Sequence, residues 1–129
     1  MTPNRPYLLR AFYDWIVDNR LTPYIVVNAD YPNVAVPDRF VENGKIILNI
    51  APQAISQLSM GNSLVEFDAN FSGHINHIYL PIFSITAIYA YENGRGMVFA
   101  EEDQEGGNED EETQPSKRIK GPPKLRIVK

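Results

Sequence analysis

Leu64-Val65-Glu66-Phe67-Asp68-Ala69-Asn70-Phe71 is the stretch on which the fold turns. From Val65 onward apolar and polar residues alternate, so a strand would place Val65, Phe67, Ala69 and Phe71 on one face. Glu66 and Asp68 fall on the other face, where a half-exposed sheet keeps its solvated side chains. Ser72-Gly73 then permits a bend, and His74 to Leu80 resumes a strand before Pro81. The stretch thus predicts two antiparallel strands with one buried face.

Working outward, the same chemistry recurs. Tyr24-Ile25-Val26-Val27-Asn28 is short and β-branched, and Asp30-Tyr31-Pro32-Asn33 and Pro37-Asp38 are turn sequences. Asn43-Gly44 precedes Lys45-Ile46-Ile47-Leu48-Asn49-Ile50, the pattern of a hairpin leading into a buried strand. Ala87-Ile88-Tyr89-Ala90-Tyr91 and Met97-Val98-Phe99 flank Glu92-Asn93-Gly94-Arg95-Gly96, a further hairpin. A short helical turn fits Ile82 to Ile85, and Pro52 to Met60 is ambiguous.

Only the start of the chain reads as a long helix. Asn4 can cap it, Pro6 is tolerated in the first turn, and Tyr7 to Val17 contains neither Gly nor Pro. Thr22-Pro23 is its expected end. Leu8, Phe12 and Trp15 repeat at helical spacing, as do Leu9, Phe12 or Tyr13, and Ile16. Only Arg10 and Asp14 interrupt the apolar character, more than one stripe against one sheet needs. Two buried sides are expected, one against the core and one against a second copy of the chain; the alternative is a helix sunk deeply into its own domain. The fold class is mainly β (α+β): an N-terminal helix, then a small two-sheet sandwich or partly open barrel of about seven strands.

Charge and aromatic content divide the 129 residues into unequal parts. All 14 aromatic residues lie between Tyr7 and Phe99. Residues 1–100 carry a net charge of −2, residues 101–114 a net of −8, and residues 115–129 a net of +6. Residues 1–100 are expected to fold. Residues 101–124 have the composition of a disordered linker, acidic at first and then rich in Pro and Gly. Leu125-Arg126-Ile127-Val128-Lys129 restores three aliphatic residues behind Gly121-Pro122-Pro123, which reads as a docking peptide on a tether. The alternative is a last strand folded back on the domain. There is no Cys, no apolar run of membrane length and no secretory leader pattern, so a soluble cytoplasmic protein is expected.

A search for chemistry yields little. His74 and His77 lie three apart and would face opposite sides of a strand, so no metal site is expected. Ser56, Ser59, Ser63, Ser72 and Ser84 stand in no nucleophile pattern, and Met60-Gly61-Asn62 and Gly94-Arg95-Gly96 lack the residues of a phosphate loop. No catalytic residue and no cofactor is expected. The mild negative charge of residues 1–100 gives little support to a nucleic-acid footprint, which leaves an RNA- or ribosome-associated module as the second choice. The first is a module that takes an extended peptide beside Phe67, Ala69 and Phe71; the alternative, compatible with it, is that these three side chains fill the core.

Several blocks together resemble one family. Arg5-Pro6-Tyr7-Leu8-Leu9-Arg10-Ala11 with Trp15 and Asp18-Asn19, Leu21-Thr22-Pro23, Ile47-Leu48-Asn49-Ile50-Ala51-Pro52, Ala69-Asn70-Phe71, Ala87-Ile88-Tyr89-Ala90, Glu92-Asn93-Gly94 and the terminal Leu125 to Lys129 are similar to the stringent starvation protein B (SspB) adaptors of the ClpXP protease. The resemblance covers nearly the whole chain. It implies a non-enzymatic homodimer joined through Leu8, Leu9, Phe12, Tyr13, Trp15 and Ile16. It also implies a groove for the ssrA degradation tag involving Ala51, Ala54, Phe67, Ala69, Phe71, Ser72, Gly73 and His74. Leu125, Arg126, Ile127, Val128 and Lys129 would dock on the N-terminal domain of the ClpX ATPase. Asn70 is a departure, because some members carry a basic residue there, and it bears on the charge preference for the tag.

Overall fold

Apolar residues at helical spacing form α1, Arg5–Asp18, in a computed structural model that describes residues 2–99. Leu9 and Ile16 of α1 are buried, and Leu8, Phe12 and Tyr13 pack partly against the same core. Tyr7, Ala11 and Trp15 lie on the opposite side and are exposed, Trp15 by 45%. The helix ends at Asp18, short of the Thr22-Pro23 stop expected from the sequence. The cause is local. Arg20 adopts a left-handed conformation (φ 62°). The Arg20 amide donates to the Val17 carbonyl at 2.9 Å and the Leu21 amide to the Ile16 carbonyl at 3.0 Å. This is the Schellman closure, with Arg in the place usually taken by Gly.

Seven strands follow. They are β1 (Pro23–Asn28), β2 (Lys45–Asn49), β3 (Ile55–Met60), β4 (Leu64–Phe71), β5 (His74–Pro81), β6 (Ile85–Ala90) and β7 (Gly96–Val98). Short 3-10 turns occupy Asp38–Phe40 and Ile82–Ser84, the latter within the predicted helical turn. The ambiguous stretch after Pro52 resolves into β3. Its register shifts between Ser56 and Ser59, and Gln57 between them has φ 58°, an irregularity that hides the alternation.

The strands make two antiparallel sheets, one ordered β2-β1-β6-β7 and the other β3-β4-β5. They are separate sheets and do not close into a barrel. Between them sits one core. Ile25, Val27, Ile46, Leu48, Ile85 and Ile88 come from the four-stranded sheet, and Val65, Phe67, Ile78 and Leu80 from the three-stranded one. Burying side chains of this size contributes roughly 1.5–3 kcal/mol each. α1 packs on β6, β1 and the Ile82–Ser84 turn. Arg5 fastens that join: its guanidinium donates to the Ile85 carbonyl at 3.0 Å and stacks over the Phe83 and Phe99 rings. Gly96 is required by close approach, since a Cβ there would lie 1.9 Å from the Ile88 carbonyl oxygen.

Candidate functional site

The β4–β5 hairpin fixes most of the predicted groove residues at one end of the three-stranded sheet. In its register Phe71 faces His74, Asn70 faces Ile75 and Ala69 faces Asn76. Ser72 (φ 54°) and Gly73 (φ 86°) form the two-residue turn, and both are left-handed. Gly73 is needed for that conformation and not for space, because an added Cβ would meet nothing within 4 Å. The Gly73 amide donates to Asn70 Oδ1 at 3.0 Å, so Asn70 serves as a brace for the turn.

On the neighbouring strand, Ile55 of β3 pairs with Ala69. The turn leading into it is closed by the Ala54 amide donating to the Ala51 carbonyl at 2.8 Å, and the Ala51 amide donates to Asn49 Oδ1. Ala54, Ala69, Phe71 and His74 therefore meet at the same end of the sheet. Their exposures differ. Ala54, Ser72, Gly73 and His74 are exposed, Phe71 is half-buried, and Ala69 is 9% exposed. Ala51 and Phe67 are buried at 1% and 0%, so they belong to the core in this structure, Phe67 beside Ala69 on the same face of β4.

Two residues absent from the sequence-based set join this end. Phe40, in the 3-10 turn, packs its ring on Phe71 with centroids 5.0 Å apart. The Arg39 guanidinium lies over the Phe40 ring at 5.2 Å. An isolated aromatic with a preceding Arg, set in a stretch of turn residues, was the only sign of them in the sequence. Beside them the segment before Pro37 pairs with β5, with Ala35 and Tyr79 exchanging both amide–carbonyl hydrogen bonds. The arrangement brings a small residue (Ala69) and two aromatic rings (Phe71 and Phe40) together at one end of the three-stranded sheet, with exposed polar residues beside them. Such an end can take an extended peptide.

The outer face of the same sheet is a different environment. His77 Nδ1 lies 2.8 Å from Asp68 Oδ1, and Nε2 lies 2.9 Å from Glu66 Oε1. Both ring nitrogens face acceptors, so the imidazolium is favoured and the pKa is raised above 6.5, chiefly by the Asp68 hydrogen bond and then by Glu66. His74 and His77 are on opposite faces, as their spacing requires. Among the described residues no group of three or more His, Cys, Asp or Glu is placed to hold a metal.

The exposed side of α1 borders a concavity of about 130 Å³, lined by residues that include Trp15, Ile16, Leu21, Ala90 and Arg95. It shares no residue with the set predicted for the peptide groove. Among the described residues no helix is long and apolar enough to cross a membrane. The predicted docking peptide, Leu125 to Lys129, and the linker before it lie outside the described residues.

Residues 3–126 match the family model described as SspB, stringent starvation protein B. The chain is also similar to the stringent starvation protein B homolog of Haemophilus influenzae (strain ATCC 51907 / DSM 11121 / KW20 / Rd). Identity is 47% over 102 residues, covering 79% of this chain and 68% of that protein.

Proposed function

From the premise that the chain belongs to the stringent starvation protein B family, we propose that it is a cytoplasmic, non-enzymatic adaptor that delivers ssrA-tagged polypeptides to the ClpXP protease. The observation that carries the reading is the meeting of Ala54, Ala69, Phe71 and His74 at the open end of the three-stranded sheet. The tag lies there in an extended form, against the Ala69 floor and the Phe71 wall. Two copies associate through α1. Leu9 and Ile16 are committed to the core, whereas Trp15, with Leu8, Phe12 and Tyr13 beside it, supplies apolar surface for a partner helix.

Residues 101–124 act as the tether and Leu125 to Lys129 as the plug for the N-terminal domain of ClpX. A flexible coil of that length has a root-mean-square span of about 27 Å, and self-repulsion of the acidic block lengthens it. A cargo held by such a tether reaches an effective concentration on the order of millimolar at the protease. Each contact can then be weak, and the adaptor lowers the apparent KM for tagged substrate far more than it raises the maximal rate. No bond is broken by this chain; the ATP-driven work belongs to the partner.

Deleting Leu125 to Lys129 tests the division. Tag-peptide binding, followed by fluorescence anisotropy, is expected to survive the deletion, and accelerated degradation of a tagged substrate by ClpXP is expected to vanish. Loss of both, or of neither, would reject the reading.

A further inference from the structure

We propose that Arg39 reads a carboxylate on the bound peptide and so sets the charge preference of the groove. The inference rests on the peptide-groove reading above and adds a residue to it.

Four observations carry it. Arg39 is tied to the site by contact: its guanidinium stands 5.2 Å over the Phe40 ring, and that ring packs 5.0 Å from Phe71. The charge is uncompensated, since no carboxylate among the described residues, neighbouring Asp38 included, forms an ion pair with Arg39. Glu66 and Asp68 of the three-stranded sheet are on its outer face and engaged with His77. Arg39 and Phe40 are also both exposed, so the pair is open to a ligand.

The chemistry fits one partner. A guanidinium held against a ring by cation–π attraction keeps its N–H donors at its edge, and those donors match the two oxygens of a carboxylate. The ring shields one side of the cation from water, and a peptide seated beside Phe40 would shield more of it. Both effects strengthen a charge-assisted hydrogen bond relative to one in bulk water. Phe40 thus holds the arginine at the rim in advance, which lowers the side-chain entropy lost on binding. A side-chain carboxylate and a C-terminal carboxylate share this chemistry.

The test uses the full-length protein and three kinds of fluorescein-labelled ssrA peptide. One is unmodified, one series has each side-chain carboxylate replaced in turn by its amide, and one ends in a carboxamide. Anisotropy titrations compare the original chain with Arg39→Gln. For the unmodified peptide we expect Arg39→Gln to weaken binding on the order of three- to tenfold, the size of a partly screened ion pair. For one of the amide peptides the same substitution should have no effect, and that peptide identifies the carboxylate as side-chain or terminal. An equal loss with every peptide would make Arg39 a mere prop for Phe40 and overturn the inference. No loss with any peptide would overturn it as well, while leaving the groove in place. Failure of the original chain to bind any of the peptides would instead remove the groove, and the inference with it.

Discussion

The inner face of β4 changes character over its eight residues. At its start, Val65 and Phe67 are sealed between the two sheets and fully buried. At its end, Ala69 is just covered, and Phe71 meets Phe40 from a short turn. The same alternation builds both halves, yet exposure rises along the strand, from 0% at Val65 and Phe67 to 9% at Ala69 and a half-buried Phe71. One half of the strand lies deep in the core, and the other reaches the end of the sheet where the peptide site is proposed.

That contrast is easiest to break at Phe67. Phe67→Ala should lower the free energy of unfolding by about 3–5 kcal/mol, by leaving a cavity in the core. Urea denaturation would show it as a lower midpoint with an unchanged slope. Two residues on, the effect should change kind. Ala69→Gln should weaken tag-peptide binding by roughly tenfold or more in anisotropy, with a stability cost within the usual 1–3 kcal/mol of overpacking. If Ala69→Gln binds normally, the open end is not the groove. Phe40→Ala removes the ring pair and should cost about 0.5–1.5 kcal/mol of stability, read from the thermal midpoint, together with a modest loss of peptide affinity.

The smallest effects lie on the outside of the molecule and depend on pH. His77 is more basic in the folded chain than its ordinary 6.5, held by Asp68 and Glu66. Its stabilisation is therefore complete below about pH 6.5 and is lost as pH rises through the folded value. Glu92 runs the other way. The Thr22 hydroxyl and amide donate to its carboxylate at 2.7 and 2.8 Å and lower its pKa from 4.5. That contribution is present above the ordinary value and fades as pH falls through the folded one. The thermal penalty of His77→Gln should thus shrink between about pH 5.5 and pH 8.5, whereas that of Glu92→Gln should shrink only on acidification. A His77 ring titration by NMR with a midpoint at or below 6.5 would contradict the clamp.

Much of this was legible in the sequence because it is local. The alternation from Leu64 to Phe71, the Ser72-Gly73 turn and the doubly apolar helix each announce themselves within a few residues. β3 was not legible, since the irregularity around Gln57 breaks the period of two. The helix end was missed because Arg20 takes a left-handed position usually given to Gly. Ala51 and Ala54 were placed by resemblance, and their position relative to Ala69 depends on strand pairing across the chain. Phe40 and Arg39 escaped altogether: a ring contact between residues 40 and 71 leaves no periodic trace in the sequence. Phe67 was chosen for its place on the apolar face, and period alone does not separate a sealed residue from an open one.

The most direct test of the peptide site is amide chemical-shift mapping of the full-length protein during titration with unlabelled ssrA peptide. The largest changes should fall at Phe40, Ala54, Ala69 and Phe71 through His74, with Glu66, Asp68 and His77 on the outer face nearly unmoved. Shifts centred instead on the outer face of the four-stranded sheet, around Tyr24 and Tyr89, would contradict the account.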